Sequence, residues 1–218
     1  GPTVLGTDNL MMAAVLAEGI TVIESAACEP EVVDLANFLI KMGAKIEGAG
    51  SSRVTITGVK KLHGAEHTVI PDRIEAGTFM VVAAMAGCPE NGVTLHRICE
   101  ADLVPSSEKL IESGHSVEFN EAGTSCVVKP ATDPKGANIV TAPFPGFPTD
   151  MQAQFTALYA VTSGISVVED TIFPQRFMHC AEMTRMGADI KVDNGTAVIQ
   201  GTENMSGAPV MASDLRAS

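Results

Sequence analysis

The chain has 218 residues, room for one large domain or two small ones. Its formal charge of −12 opposes nucleic acid and anionic membrane surfaces, so neither is an expected partner. Aromatic residues make up only 4% and Trp is absent, so the core must be built from Ala, Val, Ile, Leu and Met.

In chain order, a small-residue helix is expected over Asn9 to Ala17, then a strand over Ile20 to Glu24. A second helix follows over Pro30 to Lys41, where Val32, Val33, Ala36, Leu39 and Ile40 keep helical spacing. Strands over Lys45 to Glu47 and Arg53 to Thr57 close the unit. Lys60 to Arg73 carries two His, a Gly and Pro71 and reads as a hinge, with a boundary near residue 72.

The same order then returns twice. Helices are expected over Thr78 to Ala86 and Met151 to Thr162, and strands over Gly92 to His96 and Ser166 to Glu169. Second helices are expected over Val104 to Glu112 and Arg176 to Arg185. Met42-Gly-Ala-Lys-Ile-Glu-Gly48, Ser113-Gly-His-Ser-Val-Glu-Phe119 and Met186-Gly-Ala-Asp-Ile-Lys-Val192 mark the same point of each copy, roughly 70 residues apart. Each reads as a helix end, a Gly stop and an alternating strand. The fold class is therefore α/β, a repeated α-β-α-β-β unit. The first helices, apolar all round, suit a central buried position. A fourth copy reads as beginning at Asp214-Leu-Arg-Ala-Ser218, and both chain ends read as cut.

Five scattered Cys without a CxxC pair point to a reducing compartment, the cytoplasm, and against a disulfide framework. No apolar run reaches the roughly 18 residues of a membrane span, and no leader pattern is visible. His63-Gly-Ala-Glu-His67 fits a zinc pattern that needs a helix, but Gly64 and the following Thr-Val-Ile-Pro argue against one, so no metal is expected.

Phe147-Pro-Thr-Asp-Met-Gln-Ala-Gln-Phe155 places Asp150 at a loop-to-helix junction. A carboxylate there serves either as an N-cap or as a general base at the mouth of a cleft. Spacing alone leaves both open.

Several segments together resemble the UDP-N-acetylglucosamine enolpyruvyl transferases. They are Gly6-Thr-Asp-Asn-Leu-Met-Met-Ala-Ala14, Glu29-Pro-Glu-Val-Val-Asp-Leu-Ala-Asn-Phe38, Pro71-Asp-Arg-Ile-Glu-Ala-Gly-Thr78, the Asp150 segment, Arg176-Phe-Met-His179 and Ser213-Asp-Leu-Arg-Ala-Ser218. The resemblance runs along the whole chain. It implies two lobes, each an inside-out α/β barrel of three units, of which this chain holds about half. Residues 1–72 would be the last unit of one lobe. Residues 73–218 would be two units of the second, catalytic lobe and the start of a third.

The implied chemistry joins phosphoenolpyruvate to the 3-hydroxyl of UDP-N-acetylglucosamine and releases phosphate, with no metal or cofactor, in a monomeric enzyme. By this resemblance Asp150 contacts the sugar hydroxyl as base, and Arg216 and Asp214 face phosphoenolpyruvate. Arg176 lies at the cleft, Ile172 makes a backbone contact to the nucleotide-sugar, and Thr3 and Val4 touch the uridine diphosphate. The Thr3-Val-Leu-Gly6 segment departs from the commoner Ser-Val-Gly-Ala. The proton-donating Cys of the family would lie upstream, so none of the five Cys takes that role, and the chain alone is expected to be inactive. Two other readings stand beside this one. The sister enzyme acting on shikimate 3-phosphate carries a Glu-Thr-Asp-Arg segment, where this chain has Pro174-Gln-Arg-Phe-Met-His179. A diverged binding scaffold would have no reason to keep Asp150, Arg176, Asp214 and Arg216.

Overall fold

The computed structural model describes residues 2–87, 90–203 and 205–212. The chain divides into two compact units, Gly1–Ile70 with Pro143–Pro145, and Pro71–Ala142 with Gly146–Ser218.

The first unit runs α1 (Val4–Ala14), β1 (Ile20–Glu24), α2 (Pro30–Lys41), β2 (Lys45–Glu47) and β3 (Arg53–Thr57). Its antiparallel sheet has the order β1-β3-β2. The second unit repeats this pattern twice. The first copy is α3 (Arg73–Ala86), β4 (Val93–His96), α4 (Glu100–Glu112), β5 (Ser116–Phe119) and β6 (Ser125–Lys129), in the order β4-β6-β5. The next is α5 (Gln152–Ala160), β8 (Ile165–Glu169), α6 (Met178–Arg185), β9 (Asp189–Asp193) and β10 (Thr196–Gln200). Its sheet gains a short strand, β7 (Ile139–Val140), parallel to β8. The α-β-α-β-β repeat is thus present three times.

One device ends the second helix of every copy. Gly43, Gly114 and Gly187 have φ of 101°, 92° and 98°, a backbone state in which a side chain is strained. Behind them the N–H groups of Ala44, His115 and Ala188 donate to the carbonyls of Leu39, Leu110 and Met183, at 2.9, 3.0 and 3.1 Å. This crossing bond is the Schellman closure, and it turns each helix into its following strand.

Each unit has its own core. In the first, Met11, Val32, Ala36, Val54 and Ile56 are fully buried between the helices and the sheet. In the second, Met80, Leu103, Leu110, Val128, Met151, Phe155, Tyr159 and Ile199 do the same. Each large side chain so placed stabilises by about 1.5–3 kcal/mol.

Of the three first helices, only α5 is buried on nearly all sides. Helix α1 leaves Leu5, Leu10 and Met12 exposed, and α3 leaves Phe79, Val82 and Met85 exposed. The expectation of central burial thus holds within this chain for one helix of three. Helix starts also differ from the sequence reading. Helix α1 begins at Val4, capped by Thr3, and α3 begins at Arg73, capped by Asp72. The Asp72 carboxylate accepts from the N–H groups of Ile74 and Glu75 at 2.8 and 3.0 Å. Helix α4 begins at Glu100 and carries Pro105 inside it, not in its first turn.

Candidate active site

The Phe147–Phe155 segment folds as two anchors around a turn. Phe147 and Phe155 are both buried, and their rings meet edge to face at 5.1 Å. Phe155 meets Tyr159 in the same way at 6.0 Å. Such contacts are worth about 0.5–1.5 kcal/mol each beyond burial. Met151 fills the space beside Gly77, where an added Cβ would come within 2.9 Å of its terminal methyl. Gln154 Nε2 donates to Thr78 Oγ1 at 2.9 Å and ties α5 to α3. Between these anchors Thr149–Met151 forms one 3-10 turn, and Asp150 sits in it with its side chain 32% exposed.

Asp150 is not an N-cap. The cap positions of the 3-10 turn and of α5 are Pro148 and Met151, and neither provides a side-chain cap. The carboxylate instead pairs with Arg176, whose Nη1 donates to Asp150 Oδ1 at 2.7 Å. Nη1 also reaches Thr149 Oγ1 at 3.4 Å, and the guanidinium lies 4.8 Å above the Phe173 ring. Arg176 does not open a helix, as the sequence reading expected. It lies in the loop 170–177, two residues ahead of α6, and its side chain reaches the Asp150 turn.

That loop is organised by Asp170, which the sequence reading missed. Asp170 is 1% exposed. Its Oδ1 accepts from Thr141 Oγ1, Ile172 N and Phe173 N at 2.8, 2.9 and 2.8 Å, and its Oδ2 from Thr149 Oγ1 at 2.6 Å. An Asp bonding the amides two and three residues ahead is a turn former, and Asp170-Thr-Ile at a strand end carried that signal. The Ile172 amide is thereby committed within the loop.

The structure thus brings Asp150, Arg176 and Ile172 together in the second unit. Thr3 and Val4 belong to the first. The Thr3 hydroxyl accepts from Gly6 N at 3.4 Å as the cap of α1, and Val4 packs against that unit's core. Asp214 and Arg216 lie outside the described residues.

Two cavities open on the second unit. One, of about 470 Å³, is lined by Asp72, Phe79, His96 and Arg97 among others. The other, of about 440 Å³, is lined by Gln154, His179, Met183 and Met211 among others. Neither cavity is lined by Asp150 or Arg176, whose side chains are 32% and 23% exposed.

Residues 58–70 form no helix. His67 Nε2 donates to Asp34 Oδ1 at 2.9 Å, Lys41 Nζ donates to its Nδ1 at 3.2 Å, and its ring faces Phe38. Among the described residues no group of three or more His, Cys, Asp or Glu is placed to hold a metal ion. Cys126 and Cys180 are buried, and burial pushes their thiols up to about 11 and about 12, which keeps them protonated. Cys88 lies outside the described residues. No helix among the described residues is long and apolar enough to cross a membrane.

A repeated α/β chain whose third copy carries a carboxylate–guanidinium pair on a buried Asp scaffold is the class this geometry defines. The sequence matches the EPSP synthase (3-phosphoshikimate 1-carboxyvinyltransferase) family over residues 1–218, and the chain belongs to that family. It is 71% identical over its whole length to a UDP-N-acetylglucosamine 1-carboxyvinyltransferase of Akkermansia muciniphila, covering 51% of that protein. It is 54% identical to the protein of that name from Methylacidiphilum infernorum, again covering 51% of it. The chain therefore spans about half the length of these relatives. Among solved structures, the enolpyruvyl transferase NikO from Streptomyces tendae matches with a TM-score of 0.74 at 24% identity. The match covers 88% of this chain and 45% of that one, and it shows a shared fold.

Proposed function

We propose that this chain is part of an enzyme that transfers enolpyruvate from phosphoenolpyruvate to the 3-hydroxyl of UDP-N-acetylglucosamine. Phosphate is released, in the first committed step of peptidoglycan synthesis, in the cytoplasm. The observation that carries the reading is the Asp150–Arg176 pair at 2.7 Å, held by buried anchors in a chain similar to the two carboxyvinyltransferases.

Asp150 acts as the base. It takes the proton of the 3-hydroxyl as that oxygen bonds to C2 of phosphoenolpyruvate, while C3 receives a proton from an acid outside this chain. The C2–O bond to phosphate then breaks and C3 gives its proton back. Arg176 holds the carboxylate in place through a charge-assisted bond. The Ile172 carbonyl faces the nucleotide-sugar, Thr3 and Val4 face the uridine diphosphate, and Asp214 and Arg216 face phosphoenolpyruvate. Residues 1–72 form the last unit of one lobe, and residues 73–218 belong to the other. The intact enzyme works as a monomer without metal or cofactor. Nucleic acid and membranes are not partners.

The test is phosphate release from phosphoenolpyruvate by the full reading frame and by this chain, with UDP-N-acetylglucosamine and with shikimate 3-phosphate as acceptors. Release by the full protein with the nucleotide-sugar alone is expected. Release with shikimate 3-phosphate would transfer the reading to the sister reaction. Release by the 218-residue chain alone would overturn the view that it holds an incomplete site.

A further inference from the structure

The three copies of the repeat leave their first strand in different ways. After β1 and β4 the chain turns at Ser25 and Arg97, with φ of 55° and 58°. The connections that follow, 25–29 and 97–99, are shorter than the one after β8, 170–177. In the third copy Asp170 occupies that turning point. It has no left-handed φ, and its carboxylate binds the loop instead. A buried carboxylate is costly unless it is fully hydrogen-bonded, and this one accepts four bonds.

Those bonds reach Arg176 by two routes. The first runs through Thr149. Its single hydroxyl proton goes to Asp170 Oδ2, so its lone pairs are turned toward Arg176 Nη1, the nitrogen that also holds Asp150. The second runs through Phe173. Its amide is fixed by Asp170, and its ring lies under the guanidinium. The first and second copies of the repeat have no counterpart of this arrangement at Ser25 or Arg97 among the described residues.

We propose that Asp170 is a positioning residue, which sets the Arg176 guanidinium, and through it the Asp150 carboxylate, in the orientation the reaction needs. The catalytic part of this inference rests on the enolpyruvyl-transfer reading above. Asp170 itself touches no reacting atom.

Asp170→Asn separates positioning from folding. Its amide oxygen can still accept from Thr141, Ile172 and Phe173. Its amide nitrogen donates where Oδ2 accepted, so Thr149 must reverse, and its proton then competes for the side facing Arg176. In the full-length polypeptide, kcat for phosphate release is expected to fall about 10- to 100-fold. KM for the nucleotide-sugar should stay within about threefold, since the loss falls on the transition state. Thr149→Val cuts the same link. The double variant should be no slower than the slower single one, because both act through one bond.

A purely structural role predicts a lower Tm with kcat unmoved, or losses that multiply in the double variant; either overturns the proposal, as does a change confined to KM. If Asp170→Asn fails to fold, Thr149→Val carries the same readouts. Should the unmodified protein not use the nucleotide-sugar, the functional reading fails and the positioning inference is read by side-chain ¹⁵N NMR of Arg176. Resolved Nη signals in the parent that merge in both variants support it. Signals unchanged in both overturn it.

Discussion

Gln152 is 0% exposed, and neither atom of its side-chain amide has a partner among the described residues. It sits in the first turn of α5 between buried Met151 and buried Ala153, one residue after the Asp150 turn. An amide buried without partners costs about 1–3 kcal/mol. Methionine matches glutamine in length and lack of branching and brings no polar atom. Gln152→Met is therefore expected to stabilise the protein by about 1–2 kcal/mol, with some of the gain lost to imperfect packing. For a chain of this size 1 kcal/mol moves Tm by about 2–4 °C, so Tm should rise by about 2–8 °C. Thermal melts followed by circular dichroism, with urea midpoints at constant m-value, measure it. A lower Tm would refute the reasoning, because it would mean that the amide is paired in the folded protein.

His115 sets a pH dependence. It is 4% exposed, its Nδ1 accepts from Ala131 N at 3.0 Å, and burial pushes its pKa below the ordinary value. As pH falls below about 6.5 the unfolded chain takes up this proton first, so stability is full above that pH and declines toward the depressed folded pKa, by at most about 1.4 kcal/mol per unit. Urea midpoints at pH 7.5 and 5.5 should show a smaller drop for His115→Gln than for the parent; equal drops would remove His115 from the account. Gly114→Ala meets only Ala131 Cβ, at 3.7 Å, so its cost comes from a φ of 92° and not from a clash. A loss of about 1–2 kcal/mol is expected. A urea midpoint unchanged from the parent would show that the helix end does not need the left-handed residue.

Much of this fold can be read in the sequence where a local signal and the final packing agree. Strand β1, helix α2 and strands β2 and β3 lie on the residues the patterns predict. The glycine stops of all three second helices are real because only a left-handed residue closes them. Helix starts were harder. Gly6-Thr-Asp-Asn9 reads as loop by composition, yet Thr3 caps a helix that runs through it. Asp72-Arg-Ile-Glu75 has capping-box spacing and marks the start of α3, six residues before Thr78. Helix α4 was expected from Val104, but it begins at Glu100 and runs through Pro105. Strand β7 is too short to leave a periodic signal. In the site, the Asp150 segment was legible because it is dense in special residues. Asp170 was not. Asp170-Thr-Ile marks only a turn in the sequence; that the carboxylate is buried and also binds Thr141 and Thr149 comes from tertiary packing.

The role proposed for the Asp150 carboxylate is removal of the acceptor's proton. Its most direct test is the rate of phosphate release by the full-length protein and by its Asp150→Asn variant, with phosphoenolpyruvate and UDP-N-acetylglucosamine saturating. Asparagine keeps the shape and can still accept from Arg176, but it cannot take a proton. A fall in kcat of about 10²- to 10⁴-fold is the expected result. A variant that retains kcat within about threefold would contradict the account, and the base would have to be sought elsewhere.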